Sequence, residues 1–225
     1  MSNFILTGMF TEGTTDVRFL ESVVKKTLDD LAFECTGDIE TELKIIDIDK
    51  TGLSFNEQVF LASKMAKEEY DVLMLFIHTD ADCNDDSAVF NSKIIPAKTF
   101  LDEQDEKLVC KKVIAIVPVQ MTESWMLADK KLLKDEIGIE GTDIDLGMHR
   151  TPEETNNPKA VIENIIRLSK ENQVKRKRRT GLNISDLYQI IGQKIELSEL
   201  ESLPSYNKFK SSLKEVLKEL NFLHN

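Results

Sequence analysis

Two hydrophobic periods alternate along the first 140 residues. NFILTGMF (3–10) is an apolar strand pattern. Residues 14–33 then switch to helical spacing, with Val17, Leu20, Val23, Val24, Leu28 and Leu31 on one stripe. Thr14 or Thr15 can cap that helix. LKIIDID (43–49) predicts a second strand, 54–70 a second helix and DVLMLFIH (71–78) a third strand. The third is nearly continuous in apolar residues, as a parallel strand covered on both faces must be. A helix over 88–105, a strand KKVIAIVPV (111–119) and a helix over 122–137 follow. This alternation predicts an α/β domain over 1–139, with a mainly parallel Rossmann-like sheet flanked by helices. From 140 the strand pattern stops. A loop and helical patterns at 158–171, 184–195 and 206–222 predict a helical C-terminal region, 140–225, packed on the sheet domain.

Composition narrows the classes. The 225 residues are 41% hydrophobic, enough for a sizeable core, and no apolar run approaches the ~18 residues of a membrane span. The start, MSNFILTGMF, lacks a signal peptide's positive region and cleavage site, so a cytoplasmic location is the expectation. Cys35, Cys83 and Cys110 are scattered, which excludes a CxxC zinc site and argues against a disulfide framework. Charge is uneven. Residues 1–150 carry 16 basic and 30 acidic side chains, whereas 151–225 carry 13 and 10. The acidic part counts against a broad nucleic-acid face. The basic run Lys175-Arg176-Lys177-Arg178-Arg179 lies in the other part and is the candidate phosphate-tracking segment, with a solvated inter-helix loop as the alternative.

The chemistry gathers where strands end, which in open parallel sheets is where functional groups collect. FIHTDAD ends the third strand on Asp80 and Asp82. Residues i and i+2 of a strand point to one side, so the pair is expected to converge. Two such charges cost several kcal/mol unless a cation or a shared proton offsets them. Oxygen ligands of this kind suit Mg²⁺ or Mn²⁺; an acidic turn is the plain alternative. Glu12-Gly13-Thr14-Thr15-Asp16 follows the first strand, with Glu12 at the strand-to-helix junction and Asp16 in the first helical turn. Glu123, just past the fourth strand, opens ESWMLAD, in which Trp125 reads as core. His78 reads as a packed or edge histidine beside the motif, with proton transfer as the other option.

FTEGTTDVRFLESVV and LMLFIHTDAD together resemble the Toprim (topoisomerase–primase) superfamily, in which a glutamate in an EGxTD-like turn precedes a DxD. PVQMTESWMLAD, NNPKAVIENII and LESLPSYNKFKSSLKEVL extend the likeness to a compact Toprim-like family of prokaryotic proteins associated with phage defence and related to the overcoming-lysogenization-defect nucleases. The resemblance implies a Toprim fold holding Mg²⁺ (or Mn²⁺) and cutting phosphodiester bonds. Carried over, Glu12, Asp80 and Asp82 become metal ligands, Asp16 the second acid of the turn, Glu123 a further ligand or orienting group, and Lys159 a charge stabiliser. One departure is plain: Cys83, Asn84 and Asp85 follow the DxD, where many Toprim sequences read DxDxxG.

The expected function is therefore a Mg²⁺-dependent nuclease, on DNA ahead of RNA, with Glu12, Asp80 and Asp82 holding one ion and Asp16 and Glu123 completing a second site. One alternative is a non-catalytic regulatory subunit of a complex containing an ATPase; the chain has no Walker A motif of its own. Another is a metal-dependent nucleotidyl transferase. A homodimer is a further partner expectation.

Overall fold

A computed structural model of the chain describes residues 3–172 and 181–224. Strands β1 (Asn3–Thr11), β2 (Ile39–Ile45), β3 (Met74–His78) and β4 (Val113–Ile116) form one sheet in the order β2-β1-β3-β4. Every neighbouring pair is parallel. β3 and β4 are buried at each position, which is why they read as unbroken apolar runs. Successive residues serve opposite faces: Phe76 packs in one core, Leu75 and Ile77 in the other.

The second strand lies four residues earlier than its apolar pattern predicts, at 39–45 rather than 43–49. It is an edge strand and only half buried, so it accommodates Glu40, Thr41 and Glu42, which pair with Phe4, Ile5 and Leu6. Helix α1 (Asp16–Glu34) covers one face of the sheet. Helix α2 (Phe55–Tyr70), begun by a Ser54–Glu57 capping box, covers the other. The helical stretch after β3 comprises α3 (Ser87–Val89), a π turn (Phe90–Ile94) and α4 (Ile95–Asp102). The helix expected over 122–137 is broken into α5 (Thr122–Met126) and α6 (Lys130–Ile137), because Asp129 caps α6 by accepting from Leu132 N–H at 2.8 Å.

Helices α7 (Pro158–Asn172), α8 (Ile184–Lys194), α9 (Leu197–Leu200) and α10 (Pro204–Glu219) build onto the α1 face. They share one core with the sheet, in which Ile5, Met9 and Phe76 meet Trp125, Tyr206 and Phe209. Trp125 is the keystone. Its ring centroid lies 5.4 Å from Tyr206 in a T-shaped contact, and its Nε1–H donates to Ser205 Oγ at 2.8 Å. Gly192 brings α8 against α1 so closely that a Cβ there would lie 2.6 Å from the Phe19 carbonyl oxygen.

The strand order places α1 on one face after β1, and α3 and α4 on the other after β3. The crevice between the carboxyl ends of β1 and β3 is thus the point where the winding reverses, the position at which open α/β sheets bind ligands.

Candidate metal centre

Both strands flanking this crevice end in acid-bearing turns. Glu12 N–H extends the β1–β3 ladder by donating to the His78 carbonyl at 3.1 Å. The chain then bends, with Thr11 Oγ1 donating to Gly13 O at 2.7 Å. Gly13 is required by proximity, since a Cβ there would lie 2.1 Å from Asp16 Oδ2. Asp16 opens α1, is 9% exposed, and makes no side-chain hydrogen bond or ion pair with the described residues. Only the helix N-terminus favours its charge locally.

Beyond β3, backbone bonds tie the chain to the segment after β4: Thr79 N–H to Ile116 O, Ala81 N–H to Pro118 O and Asp82 N–H to Gln120 O. The strand itself ends at His78, and Asp82 adopts a left-handed φ of 54°. The expectation that Asp80 and Asp82 share one strand face therefore fails. Asp80 is half buried in the crevice, whereas Asp82 is exposed.

Asp80 joins Asp16 and His78 instead. One oxygen from each carboxylate and one ring nitrogen of His78 lie within 4.8 Å of one another. His78 is fully buried. Its Nε2 is 3.2 Å from Asp80 Oδ1 and 3.1 Å from Thr122 Oγ1. Asp80 Oδ1 also accepts from Thr122 N–H at 2.9 Å and from Thr122 Oγ1 at 3.3 Å. Nε2 is therefore the ring nitrogen that faces Asp80, and Nδ1 lies on the other side of the ring. That Nδ1 is buried without a hydrogen-bond partner.

The remaining candidates line the rim. Glu12 accepts from Thr79 Oγ1 and pairs with Lys93, whose Nζ is 3.1 Å from Glu12 Oε2 and 3.0 Å from Thr79 Oγ1. Burial, and then the charges of Asp80 and Glu12, push the Asp82 carboxyl upward, while Lys93 opposes the shift. Glu123, 4% exposed at the start of α5, accepts from the Tyr188 hydroxyl. Burial raises its carboxyl above the usual range; Tyr188 counters this, Asp80 adds to it and Lys159 weakly opposes it. Burial and then Glu123 drive the Tyr188 phenol far upward, so it remains a donor.

The predicted set is thus divided. Asp16 and Asp80 converge on one point; Glu12 and Asp82 stand at the rim with Lys93; Glu123 is sequestered by Tyr188; and Lys159 is exposed on α7 within electrostatic reach of Glu123. The basic run 175–179 lies outside the described residues. Sequence reasoning placed His78 beside the site rather than in it, and missed Lys93, Thr122 and Tyr188. His78 and Thr122 border the DxD and Glu123 motifs and could have been found there. Lys93 and Tyr188 come from distant helices and carry no motif.

The converging atoms, two oxygens and one imidazole nitrogen, differ from the oxygen-only set that a dedicated Mg²⁺ site uses. They suit a divalent ion that accepts both donor types, such as Mn²⁺. The nearly buried Asp16 carboxylate, without a partner among the described residues, fits such an ion. Searches of curated proteins and of solved structures return no match. One family model, described as Domain of unknown function (DUF4276), matches residues 11–214, from the end of β1 into α10, and the chain belongs to that family.

Proposed function

We propose that the protein is a divalent-metal-dependent nuclease of Toprim type, acting on DNA in preference to RNA, in the anti-phage setting that its sequence resemblance suggests. The observation that carries this reading is the convergence of Asp16, His78 and Asp80 at the reversal point of the sheet. A divalent ion bound there would supply Lewis acidity and an activated water. Asp16 and Asp80 would supply its carboxylates and His78 its nitrogen. Thr122 fixes Asp80 through its N–H and hydroxyl and so holds the ligand's orientation. Lys93 carries positive charge at the rim of the crevice, where a phosphodiester's oxygens would need it, and Lys159 lies within electrostatic reach of Glu123. Lys175 to Arg179 would extend the contact along the backbone of a longer substrate.

Calorimetric titration with Mn²⁺ and Mg²⁺, followed by cleavage assays on plasmid and single-stranded substrates in the same buffers, tests the reading. Binding that is lost in Asp80→Asn and weakened in His78→Gln, with metal-dependent cutting by the wild type, is expected. No ion binding, or equal cutting in EDTA, refutes it. A non-catalytic regulatory subunit, working beside an ATPase, is the second reading. It draws on the Lys93–Glu12 pair, which already neutralises one expected ligand, and is favoured if the ion binds but no substrate is cut.

A further inference from the structure

The acids at the crevice fall into two groups that the fold treats differently. Asp16, His78 and Asp80 converge with no cationic side chain among the described residues bonded to them. Glu12 and Asp82 face a cation already present. Lys93 Nζ lies 3.1 Å from Glu12 Oε2 and 3.0 Å from Thr79 Oγ1, and Thr79 in turn donates to the same Glu12 oxygen. The Lys93 charge also reaches Asp82. Lys93 is carried by the π turn Phe90–Ile94, a local helix distortion that is frequent at functional sites and redirects side chains. Its ammonium also lies 5.5 Å from the Phe55 ring centroid, which steadies it over the crevice.

Two-metal phosphodiesterase sites hold their ions ~3.5–4 Å apart, one for the attacking oxygen and one for the leaving oxygen. Here the carboxylates at the second position are engaged by an ammonium. We propose that Lys93 takes the place of a second divalent ion, so that the centre binds one ion per chain and completes its positive charge with a lysine. The inference rests on the reading of Asp16, His78 and Asp80 as the ion's ligands. It replaces the expected assignment of Glu12 to an ion. The ammonium contacts both Glu12 oxygens, at 3.1 and 3.5 Å, and Thr79 Oγ1 at 3.0 Å, and a phosphate oxygen would take the place of the long 3.5 Å contact. Lys93 is in this sense a positioning and charge-completing residue, and its role is read in ion stoichiometry as well as in rate.

The test is the number of Mn²⁺ ions bound, by native mass spectrometry and calorimetry, for the wild type, Lys93→Ala, Lys93→Arg and the double variant Lys93→Ala/Glu12→Gln. One, two, one and one are expected. The double variant distinguishes a true second site from loose binding to this acidic chain. Lys93 is partly exposed, and Lys93→Arg, which keeps the charge, checks that altered counts do not follow from misfolding. Two ions in the wild type, or one in Lys93→Ala, overturns the inference. No ion in the wild type but one in Lys93→Ala refutes the Asp16–His78–Asp80 site and overturns the inference with it. No ion in any variant refutes both.

Discussion

Replacing Gly13 by alanine removes no ligand, yet it displaces one. The new Cβ would lie 2.1 Å from Asp16 Oδ2, 3.3 Å from Asp16 Cγ and 4.0 Å from Thr15 Oγ1, with nothing else closer than the last. Carbon and oxygen need well over 3 Å, so the carboxylate must move by about 1 Å or more. Gly13 is not in the left-handed region, so alanine keeps the backbone it finds. The gain from a stiffer unfolded chain, about 0.4–1 kcal/mol, offsets the ~0.5–1.5 kcal/mol of an off-rotamer aspartate. Stability in EDTA should therefore change by no more than about 1 kcal/mol. Ion affinity should fall by roughly 10–100-fold, as it does when the groups that orient a ligand are disturbed, equivalent to about 1.4–2.7 kcal/mol. Calorimetry with Mn²⁺ on the wild type, Gly13→Ala and Asp16→Ala, together with thermal melts in EDTA, reads both quantities. Wild-type affinity in Gly13→Ala would mean that Asp16 does not hold the ion from the position it occupies over Gly13.

Three further outcomes follow from the packing. Gly192→Ala forces a Cβ to 2.6 Å from the Phe19 carbonyl oxygen and 3.0 Å from its Cα, so α1 and α8 must part; a loss of about 1–3 kcal/mol by urea unfolding is expected, and an unchanged midpoint refutes it. Ser205→Ala leaves the Trp125 Nε1–H without its acceptor and Glu153 with only the backbone N–H of residue 205 as a donor; a cost of roughly 1–3 kcal/mol with altered near-ultraviolet dichroism is expected, whereas wild-type stability would show that the buried bond contributes little. Burial pushes the Cys110 thiol from 9.0 to about 11, so the stability of the folded thiol is complete below pH 9 and is lost as pH rises towards 11. Cys110→Ala should lose less stability between pH 8 and 10.5 than the wild type does, and equal losses would place the pH dependence elsewhere.

The fold was legible because burial on two faces imposes a sequence pattern that burial on one does not. β3 and β4 are covered on both sides and read as apolar runs. β2 is an edge strand whose position is set by its partner β1, and its own alternation could not fix the register. The break between α5 and α6 was hidden because Asp129 is equally good as an exposed helical acid and as a cap; only the chain's direction after Trp125 decides between them. For the site, proximity to strand ends marked Asp16 and Asp80, which the structure brings together with His78. It misjudged Asp82, because the strand's period was extended two residues past the last strand residue, His78. Lys93 and Tyr188 were illegible for a different reason. Each reaches the crevice from a helix that shares no local pattern with the strand ends, so only the tertiary fold brings them there.

Charge compensation at the crevice separates a structural role from a binding role. Five acids reach one edge of the sheet, and close like charges of this kind are costly. The fold answers most of that cost with its own atoms. Glu12 has Lys93 and Thr79, Glu123 has Tyr188, Asp80 Oδ1 has Thr122 and His78, and Asp82 has water. Asp16 and Asp80 Oδ2 accept no hydrogen bond from the described residues, and His78 Nδ1 is buried with no partner. These uncompensated groups belong to the same three residues whose donor atoms converge within 4.8 Å. An acidic turn that merely caps a strand has no reason to bury an imidazole beside two carboxylates. Burying a polar atom unpaired costs about 1–3 kcal/mol. A cation at the point where these donor atoms converge would be held by the two carboxylates and one ring nitrogen, and it accounts for bringing them together better than any contact the fold itself makes.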